Sequence, residues 1–224
     1  MSPDNSWWEN LRAYLELRWD MVLQDALDHV LLVLLSVALA TVIGVGLGVA
    51  TYRTKRPRDL ALAVTGTFLT IPSLALFSIF IGIPILGLGS RSVVLGLVMY
   101  GLLPIVRNTV VGLREVDPAV VESAQGMGMG RWQRLLRIEL PLAWPVILTG
   151  IRVSTLILIG IAAIGAYING PGLGVQIFSG LSHIGGASAL SEVLAGTLGI
   201  VVLAIVFDAL YVVVARLTIP RGVR

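Results

Sequence analysis

The chain has no cysteine, one lysine and two histidines in 224 residues. Without cysteine there is no disulfide framework, no thiolate metal site and no thiol nucleophile. His29 and His183 stand far apart, so no histidine-rich metal centre is expected. Charge is scarce as well. Only 13% of residues are Asp, Glu, Lys or Arg, against roughly 25% in soluble domains. Hydrophobic residues make up 56%, and the mean hydropathy is +0.92. This balance excludes an ordinary soluble enzyme and a disordered chain. Catalytic signatures are missing too. A P-loop needs Gly-x4-Gly-Lys-Ser/Thr, and the lone Lys55 sits in Thr54-Lys55-Arg56. There is no His-Glu-x-x-His and no Gly-x-Ser-x-Gly. No catalytic residue, metal or cofactor is therefore expected in this chain.

What the sequence does have is long apolar runs. His29 to Tyr52 and Leu60 to Ser90 carry no Asp, Glu, Lys or Arg. Ser92 to Leu113 holds only Arg107, Leu140 to Ser191 only Arg152, and Val193 to Ala215 only Asp208. A membrane-spanning helix needs about 20 mostly apolar residues. The expectation is an all-α polytopic membrane protein with five transmembrane helices, near 30–51, 60–82, 93–113, 142–166 and 193–215. A β-barrel would need short alternating strands, and these runs are continuous.

The arginines mark the ends of those runs and give an orientation. Residues 52–58, the segment 114–137 with Arg114, Arg131, Arg134 and Arg137, and the tail with Arg216, Arg221 and Arg224 fall on one side of a five-span chain. The other side has Arg91, and residues 167–191 have no Asp, Glu, Lys or Arg. The positive-inside rule puts the basic side in the cytoplasm. The protein is expected in the cell (inner or plasma) membrane, N-terminus outside and C-terminus cytoplasmic. Its surroundings are membrane lipid, and no nucleic acid is expected, because the arginines do not share a face with aromatics. Residues 1–29 oppose Arg12 and Arg18 to six acids, a side-chain charge of −4. With Trp7, Trp8, Tyr14 and Trp19 they read either as an external helix at the membrane interface or as an ordinary flanking helix. An acidic start argues against a cleavable signal peptide. The domains are then 1–29 (external or interfacial), 30–215 (transmembrane) and 216–224 (cytoplasmic tail).

The loop 114–141 is the most informative segment. Asp117-Pro118 predicts a helix start, with Asp as N-cap and Pro in the first turn. Gly126, Gly128 and Gly130 predict its end in a flexible turn. A second short helix is expected over Arg131–Glu139, with Arg131, Arg134 and Arg137 in a stripe and Pro141 and Pro145 where the chain returns to the membrane. The first helix is small and apolar enough to lie in a partner's groove; from composition alone, a partnerless surface loop is an equal alternative.

Here the sequence resembles a family. Glu122-Ser123-Ala124, then Gly128, then Ile138-x-Leu140-Pro141 looks like the EAA loop of ATP-binding cassette (ABC) importer permeases, with Ser123 in place of the second alanine. The likeness covers about residues 30–215. Ile71-Pro72-Ser73-Leu74-Ala75-Leu76, Leu103-Pro104-Ile105-Val106-Arg107-Asn108-Thr109, Gly126-Met127-Gly128-Met129 and Gly170-Pro171-Gly172-Leu173-Gly174 are similar to the osmoprotectant branch, which carries glycine betaine, carnitine and choline. The resemblance implies two permease subunits, identical or related. It also implies two ATPase subunits that bind ATP and magnesium and each grip one EAA loop, and an external solute-binding protein. Rival readings are an ABC permease for an amino acid or alkanesulfonate, an ATPase-independent channel or secondary transporter, and a scaffold that transports nothing.

Charges inside the spans are costly and belong in the bundle interior or beside water. Arg152 lies roughly 15 Å from Leu142 and Asp208 roughly 12 Å from Arg216, at 1.5 Å per residue. Similar depths predict an Arg152–Asp208 ion pair, which either holds two helices together or takes part in gating. Arg107 is expected to reach toward the interface. Aromatic faces hold quaternary ammonium groups best. This makes Tyr100, Tyr167 and Phe178 candidates for the solute pathway, with plain packing as the alternative. Pro72, Pro84, Pro104 and Pro145 predict kinks, or broken helices that line a pathway. Residues 167–191 read as a short re-entrant gate or a loop. Gly44, Gly46 and Gly48 predict close helix packing.

Overall fold

A backbone in hydrocarbon must satisfy its own N–H and C=O groups. The computed structural model, which describes residues 6–219, does so with helices, and no strand occurs among the described residues. Residues 1–5 of the expected external segment, and 220–224 of the expected tail with Arg221 and Arg224, lie outside them.

Helix α1 (Trp7–Thr51) starts where the Glu9 carboxylate accepts the Ser6 N–H at 3.0 Å. The sequence suggested two elements here, an external helix to residue 29 and a span from 30. They form one helical run of 45 residues, kinked at Arg18 and unbroken near residue 29, because no glycine or proline interrupts the chain before Gly44. The part after the kink, residues 19–51, is about 50 Å long, more than a hydrocarbon core of about 30 Å requires. The residues before the span therefore form an arm. One residue in it, Arg18, leaves helical geometry (φ −122°, ψ 18°).

The span expected over 60–82 is two helices, α2 (Lys55–Thr70) and α3 (Ser73–Ile81), bent by 93°. Pro72 causes the break. A proline excludes helical geometry from the residue before it, and Ile71 is extended (φ −74°, ψ 128°). The Ile71 carbonyl, freed from the helix, accepts the Tyr100 hydroxyl at 2.7 Å. Pro104 breaks nothing. Helix α4 (Ser90–Arg114) runs through it and forms the centre of the bundle, with Val93, Leu97, Ile105 and Val106 wholly buried. Helix α1 comes close to it at two glycines. A Cβ on Gly44 would meet Ile105 at 2.8 Å and one on Gly48 would meet Thr109 at 2.5 Å, while Gly46 faces open space.

The chain continues through α5 (Pro118–Gly126), α6 (Arg131–Arg134), a π-helical turn (Leu135–Glu139) and α7 (Leu140–Ile164). The far-side segment is not a plain loop. It folds as a 3-10 turn (Gly165–Ile168) and helix α8 (Gly174–Ser182), which packs on α9 (Ala189–Thr218). Among the described residues, four helical stretches are long and apolar enough to cross a membrane: α1, α4, the run Arg131–Ile168 containing α7, and α9. The α2–α3 pair adds a fifth if taken as one broken span.

Between helices in lipid the hydrophobic drive is weak, so close packing and interhelical hydrogen bonds hold the bundle. Wholly buried His29 gives its Nε2–H to the Ile159 carbonyl on α7 at 3.0 Å. Ser154 on α7 donates to the Gly101 carbonyl on α4 at 2.7 Å. The arm of α1 holds α8 through a relay. Tyr14 donates to Gln176 Oε1 at 2.5 Å, and Gln176 Nε2 donates to Asp25 Oδ2 at 2.5 Å. Gln176 and Tyr14 are buried.

Candidate functional site

The segment 114–141 is built to hold a short helix out from the bundle at the basic end. Asp117 caps α5, its carboxylate accepting the Ala119 N–H at 2.8 Å, and Pro118 occupies the first turn, where no donor is lost. At the other end Gly128 takes φ +84°. The Met129 N–H then reaches back to the Ala124 carbonyl (3.1 Å) and the Gly128 N–H to that of Gln125 (2.9 Å), the two bonds of a Schellman stop. Gly128 is thus needed for its backbone; nothing lies within 4 Å of where its Cβ would sit.

The second helix is not free-standing. Residues 131–139 continue into α7 through the π turn, in which the Leu140 N–H bonds the Leu135 carbonyl. The turn widens just before Pro141, which has no N–H to continue the regular ladder. Any displacement of α6 is therefore delivered to a membrane helix without a break in the helical run. Of the residues expected in the loop motif, Ala124 is buried and ties α5 down. Glu122, Ser123, Gly128 and Pro141 are exposed, and Ile138 and Leu140 are half-buried. Val120, Met127, Trp132 and Leu136 add exposed apolar surface to this end, Met127 at 71% and Trp132 at 69%.

Sequence reasoning missed the residue that anchors the loop. Glu139, the unassigned position between Ile138 and Leu140, is 3% exposed. It accepts Tyr52 Oη at 2.5 Å, Arg53 Nη2 at 2.9 Å and Arg134 Nε at 3.1 Å. Arg53 also donates to Tyr52 Oη and lies over its ring, 5.0 Å from the centroid. The cluster joins the end of α1 to the start of α7 and to α6. Burial would raise the Glu139 carboxyl, but the bonds from Tyr52, Arg134 and Arg53 override it and hold it below the usual carboxylate range. The available signal was an acid beside a motif proline in a segment otherwise rich in arginine.

Within the membrane, Arg152 and Asp208 meet. Nε donates to Oδ1 and Nη2 to Oδ2, both at 2.7 Å, a bidentate geometry. Both side chains remain 39% exposed. Two more contacts join α7 to α9: Thr155 with the Tyr211 hydroxyl (2.8 Å) and Trp144 Nε1 to Thr218 (2.9 Å). Tyr167 and Phe178 come together at the acidic end, ring centroids 5.8 Å apart and planes at 56°, with Tyr167 63% exposed. Tyr100 does not join them. It is 2% exposed and braces the α2–α3 break through its bond to the Ile71 carbonyl. Arg107 is exposed near the basic end of α4. No cluster of three metal-ligating side chains occurs among the described residues.

Comparison with known proteins adds what geometry cannot. The glycine betaine/carnitine/choline transport system permease protein OpuCB of Bacillus subtilis (strain 168) is 34% identical over 214 residues, 96% of each chain. The carnitine transport permease protein OpuCD of Listeria monocytogenes is 39% identical over 202 residues, 90% of this chain and 88% of that one. The osmoprotectant import permease protein OsmW of Salmonella typhimurium is 41% identical over 200 residues, 88% and 91%. The fold matches a chain of the MetNI methionine ABC transporter, solved in inward-facing conformations, with TM-score 0.76 and 22% identity over 91% of this chain and 98% of that chain. Residues 22–219 match the family described as binding-protein-dependent transport system inner membrane component, and the chain belongs to that family.

Proposed function

We propose that this chain is the permease subunit of an ABC importer that carries quaternary-ammonium osmoprotectants of the glycine betaine, carnitine and choline type into the cell. A separate ATPase supplies the energy and binds the ATP and magnesium. The observation that carries the reading is the capped α5 helix, set by a glycine turn beside α6, which the Glu139 cluster anchors and which runs directly into the membrane helix α7. In the proposed assembly, two ATPase subunits each seat one α5 in a groove, with Glu122, Ser123 and Ala124 at its centre. A second permease subunit completes the pathway, and an external solute-binding protein delivers the solute. The basic end faces the cytoplasm. ATP-driven closure of the ATPase pair moves α5 and α6 and, through the π turn, tilts α7; the change is a rigid-body one.

The substrate class is supported by the printed names of relatives at 34–41% identity over nearly the whole chain. The likeness to the methionine transporter supports the fold only. Tyr167 and Phe178 are assigned to the outer solute pathway, where two tilted rings suit a passing quaternary ammonium. Arg152–Asp208 is assigned a gating role, since its half-exposed setting leaves it free to exchange partners. Exchange of the two charges is expected to restore transport lost in each single variant; if the exchanged protein stays inactive while normally inserted, the pair is not a unit.

The function is tested by uptake of labelled glycine betaine in proteoliposomes holding the permease, its ATPase and its binding protein. Gly128→Arg, which cannot adopt φ +84° without strain and puts a charge on the docking face, is expected to abolish uptake and substrate-stimulated ATP hydrolysis while the chain still inserts. Full uptake by Gly128→Arg, or uptake without the ATPase, would overturn ABC coupling. Uptake of methionine in place of betaine would overturn the substrate class.

A further inference from the structure

An apolar groove of about 530 Å³ runs along the outside of the bundle between α1 and α4. Its floor and walls come from Leu35, Leu39 and Ile43 of α1 and Val94 and Val98 of α4, and Ile85 of the α3–α4 loop closes one end. Leu35, Leu39 and Ile43 recur every four residues, so they form one ridge about 12 Å long at 1.5 Å per residue. That is close to half of a hydrocarbon core of about 30 Å. Arg91 also lines the groove and lies in the first turn of α4, at the acidic end of the molecule. It is the single Lys or Arg between residues 59 and 106. Arg91 is exposed. Its one polar contact is a long one, Nη1 to the Ile85 carbonyl at 3.5 Å, and it pairs with no carboxylate among the described residues.

We infer that this groove is a binding site for one anionic phospholipid, its phosphate on the Arg91 guanidinium and one acyl chain along the Leu35–Leu39–Ile43 ridge. Three features converge on that occupant. The length of the ridge matches one leaflet. Apart from Ser90 and Arg91 the lining is aliphatic, which suits an alkyl chain. The cation stands in the first turn of α4, at one end of an apolar helix, and guanidinium and phosphate form paired hydrogen bonds. A zwitterionic lipid offers the same chain but no net charge, so the site discriminates by headgroup. The assignment to the outer leaflet rests on the orientation given under Proposed function; the site itself does not.

The absence of cysteine from the chain gives a clean test. The intact transport complex, extracted in mild detergent, is incubated with vesicles of phosphatidylglycerol or of phosphatidylcholine, and retained lipid is counted by native mass spectrometry. Wild type is expected to retain one phosphatidylglycerol per permease chain and little phosphatidylcholine. Arg91→Gln is expected to lower phosphatidylglycerol retention at least tenfold, and Arg91→Lys to keep most of it. Leu39→Trp, which fills the ridge and leaves Arg91 in place, is expected to lower it as well. Monodispersity on size exclusion shows that each variant is folded, and Arg91→Lys provides a reading that a merely misfolded Arg91→Gln cannot mimic. Equal retention of the two lipids, or retention unchanged in Arg91→Gln, overturns the site. Oxidative cross-linking of two permease chains through Leu39→Cys also overturns it, because the groove is then covered by a second copy of the chain. Loss of betaine uptake in the assay above, with lipid retention intact, would strike the functional reading and leave this one standing.

Discussion

At the basic end of the molecule, one carboxylate, Glu139, takes hydrogen bonds from two arginines and a tyrosine. At the acidic end, one neutral amide, Gln176, passes a hydrogen bond from Tyr14 to Asp25. Each is centred on a buried residue, and both join α1 or its end to an element far away in the chain. They differ in what they hold. The charged cluster fixes the root of the α5–α6 arm, where the partner motor of the proposed importer pushes. The amide-centred relay fixes α8, a short helix at the opposite end. A charged cluster accepts one geometry, because any misplacement leaves an ion unpaired away from water. An amide relay gives up less when a bond stretches. In the proposed importer, a stiff joint at the motor end and a softer one at the opposite end is the division that alternating access asks for.

The largest expected effect follows from removing the central anion. Glu139→Leu leaves Arg53 and Arg134 facing each other with nothing between. Breaking a fully buried pair costs about 3–5 kcal/mol. Arg53 is 31% exposed and regains some water, so about 2–4 kcal/mol is expected, measured as a drop in the chemical-denaturation midpoint in detergent. The triple change Arg53→Met, Glu139→Leu, Arg134→Met is expected to recover most of that stability, since apolar replacements of equal volume often match a buried ion cluster. Uptake should stay low in the triple variant. If the triple variant also transports at the wild-type rate, the cluster does not set the position of the arm.

The next effect is on the relay. Gln176→Leu strands Tyr14 and Asp25 at once and is expected to cost about 1–3 kcal/mol, the usual penalty for unsatisfied buried groups. A loss as large as that of Glu139→Leu would erase the distinction between the two joints.

Acidification separates the clusters by sign. Glu139 has its folded value depressed, so its contribution is complete above its unfolded value near 4.5 and is lost as pH falls through the folded value below that. Asp25, on the arm outside the span, is shifted the other way. Burial raises it, the Gln176 bond opposes that, and neighbouring Asp28 adds to the rise. Its folded value lies above the unfolded 3.8, so ionisation costs stability as pH rises through the folded value, and acidification relieves the cost. Stability of Asp25→Asn against wild type is thus expected to converge at low pH. For Glu139→Gln the difference should shrink only below about pH 4.5 and stay flat between 6 and 8.

Much of this arrangement was legible in the sequence, and what was missed has physical causes. The spans followed from apolar runs because lipid leaves a chain few alternatives. Asp117-Pro118 and Gly128 announced the boundaries of α5 because caps and left-handed turns are local. The Arg152–Asp208 contact followed from depth alone. Three features were not local. Pro72 breaks a helix while Pro104 does not, and the difference lies in neighbours: α4 is enclosed by α1 and α7, whereas the Ile71 carbonyl is rescued by a tyrosine 29 residues away. The bracing bond of Tyr100 was not legible because its partner is a backbone atom that no side-chain pattern reveals. Glu139 was passed over because its three partners come from residues 52, 53 and 134, two of them across 86 and 87 positions of sequence.

The smallest effect is the most discriminating. Tyr14→Phe removes one hydroxyl and leaves the ring, so about 1 kcal/mol of stability should be lost, close to the limit of measurement. Gln176 keeps its bond to Asp25, and α8 keeps its seat on α9, so folding and insertion should be unchanged. If the relay does no more than hold the fold together, uptake should fall only in proportion to folded protein. If it limits how freely α8 moves over the outer mouth, Tyr14→Phe should change the apparent KM for the loaded binding protein and leave the maximal rate per folded complex near wild type. Glu139→Gln, at the motor end, should do the reverse: a lower maximal rate with KM retained. Finding the same kinetic pattern for both variants would mean that the two ends are one joint, and that the contrast in their chemistry serves packing alone.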